Sequence, residues 1–278
     1  MTDERHPPDE TEQPDTDNEI QVPAAPAETP ARGLRKLPTP LAWALEFLIY
    51  LLVALLVVVL VRNFLIQNYD VPSGSMEQTV EIGDNIVAWK PGAPQRGEIV
   101  VFRDDHEWLP PLPPPSAWAR GLAWLHIATP ADEQYLVKRL IGLPGDHVVC
   151  CDVQGRVSVN GVALDETSYL YQIMPGRTVD PSAIAFDVVV PEGHIFVMGD
   201  HRNNSGDSRY HMCNGGRPTP DLAFPSVDAI QGRAFAVIMP PSRWRTFSIP
   251  DGFAAVPDPT GPAPAPWEVS WSCPLAPS

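Results

Sequence analysis

Residues 70–80 read DVPSGSMEQTV and set two serines, Ser73 and Ser75, around one glycine. A serine hydroxyl is a poor nucleophile until a base takes its proton. Histidine oriented by a carboxylate is the usual base, and beyond residue 63 the chain offers His106, His126, His147, His194, His201 and His211. None falls in a recognisable triad motif and no G-x-S-x-G elbow is present, so the histidines read mainly as surface or structural residues. Lysine is the other option. A solvated amine has a pKa of about 10.4, but burial among apolar groups disfavours the charge and leaves a neutral general base. The chain has only three lysines, Lys36, Lys90 and Lys138. Lys36 precedes a long apolar run, and Lys90 stands before a Pro-Gly turn and is expected to be solvated. Lys138 lies in QYLVKRLIGLPGD. Strand alternation puts it on one face with Leu136 and Leu140, while Tyr135, Val137 and Arg139 take the other. A soluble-edge lysine is the plainer alternative. A third segment, GDHRNNSGDSR (199–209), gathers Asp200, Arg202, Asp207 and Arg209 with two serines behind a buried-looking strand. Such density suits a turn whose side chains hydrogen-bond one another and the backbone.

These residues need elements to hold them. Short runs rich in Val, Ile and aromatics occur at 86–89, 98–102, 134–141, 146–150, 156–160, 186–190, 194–198 and 233–239. Gly, Pro, Asp or Asn bound each one, and Asn160-Gly161 marks a tight turn. Hardly any stretch keeps a helical period. Many short strands without helices between them predict a mostly β, antiparallel domain. Residues 104–133, rich in proline with Trp108, Trp118 and Trp124, interrupt two strands as a long insertion. It suits either a membrane-interface loop or a loop packed on the domain. Residues 251–278 are Pro/Ala-rich and expected to be a flexible tail, with Trp267, Trp271 and Cys273 able to dock.

The formal net charge is −15, but the acidity is uneven. Residues 1–31 hold nine carboxylates against Arg5, a net of −8. This stretch, part of a tail over 1–37, is too polar to fold and says nothing about a substrate. No basic run interleaved with aromatics supports nucleic-acid binding. Residues 41–61 carry one charge, Glu46, and match the roughly 20 apolar residues that cross a bilayer. A transmembrane helix is expected over 38–63, uncleaved because no A-x-A site follows it. Arg32, Arg35 and Lys36 precede it and only Arg62 follows closely, which predicts a cytoplasmic N-terminus and an extracytoplasmic domain over 64–250. Cys150, Cys151, Cys213 and Cys273 then lie where disulfides are permitted, with three possible connectivities. Adjacent Cys150 and Cys151 would face opposite ways on a strand and have different fates. No cysteine or histidine spacing points to a metal, and no cofactor is expected.

The ordered segments PSGSM (72–76), GDNIVAWK (83–90), GEIVVF (97–102), YLVKRLIGLPGD (135–146), VNG (159–161), VPEGHIFVMGDHRNNSGDSR (190–209) and GRAFAVIMP (232–240) resemble type I bacterial signal peptidases, the membrane-anchored leader peptidase family. With the apolar run they cover most of residues 41–245. The resemblance implies an antiparallel β catalytic domain of the signal-peptidase kind, related to self-cleaving serine–lysine repressors and preceded by one membrane helix. It implies Ser75 as nucleophile, Lys138 as general base, Ser73 with the Ser75 amide as oxyanion donors, and Ser205 as the hydroxyl that orients the lysine. Asp207 and Arg209 match the family's paired acid and base, and Asp200 is expected to hold Arg139. The implied activity is removal of N-terminal signal peptides from exported preproteins after small residues of A-x-A type. Implied partners are preprotein signal peptides, the lipid bilayer and the nearby export translocon. A peptidase dedicated to a pilin or conjugation substrate would share these residues. An inactive binding protein would have lost Ser75 or Lys138. The chain departs from the family's pattern at His201 and Asn203, where Asn and Asp are frequent, and at Glu77-Gln78, in place of a frequent proline.

Overall fold

The computed structural model describes residues 39–114, 116–118, 133–214, 217–269, 271 and 273. The acidic tail, Trp124 and His126 lie outside them. Helix α1, Thr39–Phe64, takes up the apolar run. At 1.5 Å per residue its 26 residues reach about 39 Å. Residues Pro40–Phe64 are long and apolar enough to cross a membrane. Large apolar side chains along α1, from Leu41 to Phe64, stay exposed instead of joining a core. The chain divides into two compact units, Met1–Tyr50 and Leu51–Ser278, and all the strands lie in the second.

Among the described residues fifteen strands follow: β1 (Ile66–Asp70), β2 (Asn85–Trp89), β3 (Ile99–Arg103), β4 (Tyr135–Gly142), β5 (His147–Cys150), β6 (Val157–Val159), β7 (Val162–Ala163), β8 (Gln172–Met174), β9 (Arg177–Thr178), β10 (Phe186–Val189), β11 (Phe196–Met198), β12 (Cys213–Asn214), β13 (Arg217–Pro218), β14 (Ile230–Met239) and β15 (Arg245–Thr246). One-turn helices α2 (Ser208–His211) and α3 (Pro220–Ala223) lie between them. All eight runs read from the sequence appear as strands, and the pairings are antiparallel. The first sheet runs β1-β2-β14-β3-β4-β11, with β15 on β14; the second runs β10-β5-β6-β7. Between β6 and β7 the turn is Asn160-Gly161, both at positive φ (50° and 80°), as a two-residue hairpin of this kind requires.

Strand β4 is buried on both faces. Val137 joins one cluster with Tyr69, Met76, Ile86 and Ile99. Leu136 and Leu140 join another with Val100, Phe102 and Val197. The predicted division of faces therefore holds for Val137 against Leu136 and Leu140, and Lys138 is buried. Strand β11 pairs with β4 only from Arg139 onward. Among the described residues, Tyr135–Lys138 thus keep one edge open, and β1 ends the sheet order with a free edge of its own. Four successive antiparallel steps make β1 and β4 parallel. The sheet curls until the rings of Tyr69 and Tyr135 stand 5.0 Å apart.

Three expectations are corrected. Lys90 is half-buried, not solvated: its Nζ donates to Asn63 O at 3.2 Å and its N–H to Leu65 O at 2.9 Å, at the C-terminal end of α1. Burial and the nearby Arg62 lower its pKa. Cys150 and Cys151 are bonded to each other, and the second disulfide joins Cys213 to Cys273. Strand alternation did not separate the neighbouring pair because β5 ends at Cys150. The C-terminal segment packs on the domain: Phe253 is buried, Trp271 meets Phe224 edge-on and donates to Met212 O, and Trp267 alone of the expected anchors stays exposed. Its hydrophobic residues outweigh its Pro/Ala composition. In the insertion, Trp108 stacks on His211 at 4.3 Å and donates to Leu222 O, so this part packs on the domain; Trp118 is exposed.

Candidate active site

Lys138 and Ser75, 63 residues apart, meet with Nζ and Oγ 2.5 Å from each other. Ser75 sits in a 3-10 turn, Gly74–Met76, directly after the β1 edge. Both side chains are buried, at 6% and 2% exposure. Burial lowers the Lys138 pKa to about 8; the Asp207 and Asp200 carboxylates oppose this and the Arg209 charge adds to it. A neutral amine against a hydroxyl is a general base against a nucleophile. Ser73 is exposed, its Oγ 3.5 Å from Ser75 Oγ, at the outer limit of a hydrogen bond.

The turn is held from the GDHRNNSGDSR segment. His201 N–H donates to Ser75 O at 3.0 Å, and Asp200 N–H approaches Met76 Sδ at 3.4 Å. Gly199 makes this approach possible: a Cβ there would lie 2.5 Å from Ser75 O and closer still to Ser205 Oγ. Asp200 receives Arg139 through two bonds of 2.7 and 2.6 Å, and Thr79 Oγ1 at 2.7 Å, as expected for the Arg139 pair. Asp207 caps α2 through Arg209 N–H, binds the Arg209 guanidinium at 2.8 and 2.7 Å and accepts from Gly199 N–H at 3.0 Å. Burial alone would raise the Asp207 carboxyl, but Arg209 and the Gly199 amide hold it below the usual range. Fixed charge pairs thus surround the lysine without forming an ion pair with it.

Ser205 differs from its expected role. It packs beside Gly199, but its buried Oγ has no hydrogen-bond partner among the described residues, Lys138 included. The lysine's hydrogen bond goes to Ser75. Glu166 and Tyr169 carry no motif of their own, and Arg202 lies in the matched segment without an assigned role. Arg202 donates to Gly199 O and pairs with Glu166 at 2.5 Å. Tyr169 donates to Glu166 and lies under Arg139, 4.2 Å from the guanidinium carbon. Histidines outside a triad pattern read as peripheral, yet His201 touches the nucleophile's turn. The only signals for it in sequence are its place beside Asp200 and its departure from the family's pattern.

The family model for "Signal peptidase, peptidase S26" matches residues 44–239. The chain belongs to the peptidase S26 signal peptidase family. Among similar members, a signal peptidase I of Mycobacterium tuberculosis strain H37Rv is 31% identical over 83% of this chain and 82% of its own length. A signal peptidase I of Pseudomonas aeruginosa is 31% identical over 66% and 69%. A solved signal peptidase I from Enterococcus faecalis, 25% identical, covers 51% of this chain and 97% of its own with a TM-score of 0.32, a fit too loose to add to the assignment. The S26 residues span α1 from Ala44 and the first sheet to the end of β14, so the dyad and its holding segment lie wholly inside the family's core.

Proposed function

We propose that the chain is a membrane-anchored serine endopeptidase that removes N-terminal signal peptides from exported preproteins, with Ser75 as nucleophile and Lys138 as general base. The observation that carries this reading is the buried 2.5 Å contact between the two. Neutral Lys138 accepts the Ser75 proton as Oγ bonds to the scissile carbonyl carbon. The oxyanion takes hydrogen bonds from the Ser75 N–H and Ser73 hydroxyl, each worth about 10²–10³ in rate. The lysine ammonium then gives its proton to the leaving amine as the C–N bond breaks. In the second half Lys138 takes a proton from water, hydroxide attacks the ester, and Ser75 leaves with the proton returned. The extended substrate adds a strand between the open edges of β1 and β4, so backbone bonds supply binding and shallow pockets select small A-x-A residues.

In this reading α1 spans the bilayer with its N-terminus in the cytoplasm, in keeping with Arg32, Arg35 and Lys36 ahead of it. The dyad then faces the far side near the membrane surface, beside the precursor's own apolar segment and the export translocon. Purified full-length protein in detergent, incubated with a precursor carrying an A-x-A site, should release one product whose mass places the cut after the second alanine. Ser75→Ala and Lys138→Ala should each lower kcat about 10⁴-fold or more while leaving the folded domain intact. Wild-type turnover by the Lys138→Ala protein would sink the dyad.

A further inference from the structure

Glu77 and His201, two of the positions where the chain departs from its family's pattern, meet in space. His201 Nδ1 is 3.0 Å from Glu77 Oε2 and 3.3 Å from Gly74 O. Both neighbours are acceptors, so the network assigns the proton to Nδ1. The imidazole lies flat on the Tyr171 ring, 3.8 Å away at 7°, and is mostly buried. Tyr171 is itself held, its N–H donating to Asp200 O at 3.1 Å and its carbonyl accepting from Val179 N–H at 2.8 Å. The His201 backbone holds the next carbonyl of the same turn, that of Ser75, at 3.0 Å. Glu77 also binds this turn, its N–H donating to Gly74 O at 3.1 Å. Gly74 has little room, since a Cβ there would stand 3.3 Å from both Glu77 Oε2 and Asn204 Nδ2.

One histidine therefore grips two consecutive carbonyls, that of the Gly74–Ser75 peptide and that of the Ser75–Met76 peptide, while a carboxylate and an aromatic ring fix its own orientation. The first of these peptides carries the Ser75 N–H and sets the angle between Ser73 and Ser75. We propose that His201 is a positioning residue for the nucleophile turn, and that Glu77 acts through it by fixing the imidazole. The inference rests on Ser75 being the nucleophile. His201 touches no reacting atom, and substrate binding by the open strand edges does not involve it. Its loss should appear in kcat and not in KM.

The test is steady-state cleavage of an A-x-A precursor by the full-length protein in detergent. His201→Ala should lower kcat about tenfold with KM changed by under about twofold, the scale expected when a reacting group is held slightly off its geometry. His201→Asn, whose amide N–H can replace Nδ1–H, should restore most of that loss. Glu77→Ala should lower kcat about threefold, and the double variant should be no slower than His201→Ala, because coupled residues are not additive. An unchanged kcat in His201→Ala, a loss confined to KM, no gain from asparagine over alanine, or losses that multiply in the double variant would each overturn the inference. If His201→Ala does not fold, His201→Asn and Glu77→Ala decide alone: full activity in Glu77→Ala rejects it. Ser75→Ala in the same assay separates the two readings. A dead Ser75→Ala beside a normal His201→Ala rejects only the positioning role, whereas an active Ser75→Ala removes the nucleophile assignment beneath it.

Discussion

The floor under the dyad and the interior of the second sheet are both buried, yet they are built from different materials. The second sheet is packed by Val148, Val157, Val159, Phe186 and Val188 against Leu164, Phe196 and Phe224. Beneath the dyad lie Arg139, Asp200, Arg202, Asp207, Arg209 and Glu166, all buried and each paired. Apolar burial is non-directional and rewards any well-filled space, at about 1.5–3 kcal/mol per large side chain. Buried ion pairs add little net stability, because desolvation offsets attraction, but they fix angles and distances. The second sheet supports the fold and the floor supports the geometry, with the lysine's lowered pKa resting between them.

Three experiments press on that contrast. The largest effect is expected from Arg139→Met, which leaves the Asp200 carboxylate buried without its guanidinium. It should cost about 3–5 kcal/mol in denaturant unfolding and abolish cleavage, since Asp200 adjoins the His201 amide on Ser75. Retained activity would show that the floor is only structural. Next comes Phe186→Ala in the second sheet, expected to cost about 3 kcal/mol through the cavity it leaves. Measured well below its unfolding midpoint, kcat should stay at the wild-type value; a fall there would mean that the two regions are coupled. The smallest is the pH dependence. Only the neutral amine acts as base, so kcat/KM should climb about tenfold per pH unit at low pH and level off as Lys138 loses its proton near pH 8. A profile flat from pH 6 to 9 would contradict a lysine base of lowered pKa.

Much of the first sheet was legible because its strands alternate cleanly between punctuating turns. Lys138 was legible because it interrupts an apolar run and the chain has few lysines. The nucleophile turn was legible through its paired serines. What escaped was whatever depends on contacts between distant segments. Glu166 and Tyr169 look like ordinary loop residues until Arg202 and Arg139 arrive from elsewhere. The Cys213–Cys273 link crosses 60 residues, and nothing local selects it from the alternatives. The free hydroxyl of Ser205 was invisible for the opposite reason: a motif match carries a role but no distance, and here the lysine's hydrogen bond goes to Ser75. Strand β1 is masked in the sequence because it follows the apolar run without a turn signal.

The junction between α1 and β1 is one residue, Leu65, and Lys90 ties it down on the carbonyls of Asn63 and Leu65. Ser75 is eleven residues past Phe64, a reach of at most about 40 Å even if fully stretched. With α1 as the proposed membrane anchor, so short a junction would not let the enzyme search a volume. On that reading it would search a surface, where a precursor held in the same bilayer would arrive by lateral diffusion. Lengthening this junction with a flexible insert would give up that confinement, and slow capture of tethered precursors while leaving short soluble peptides cleaved as before.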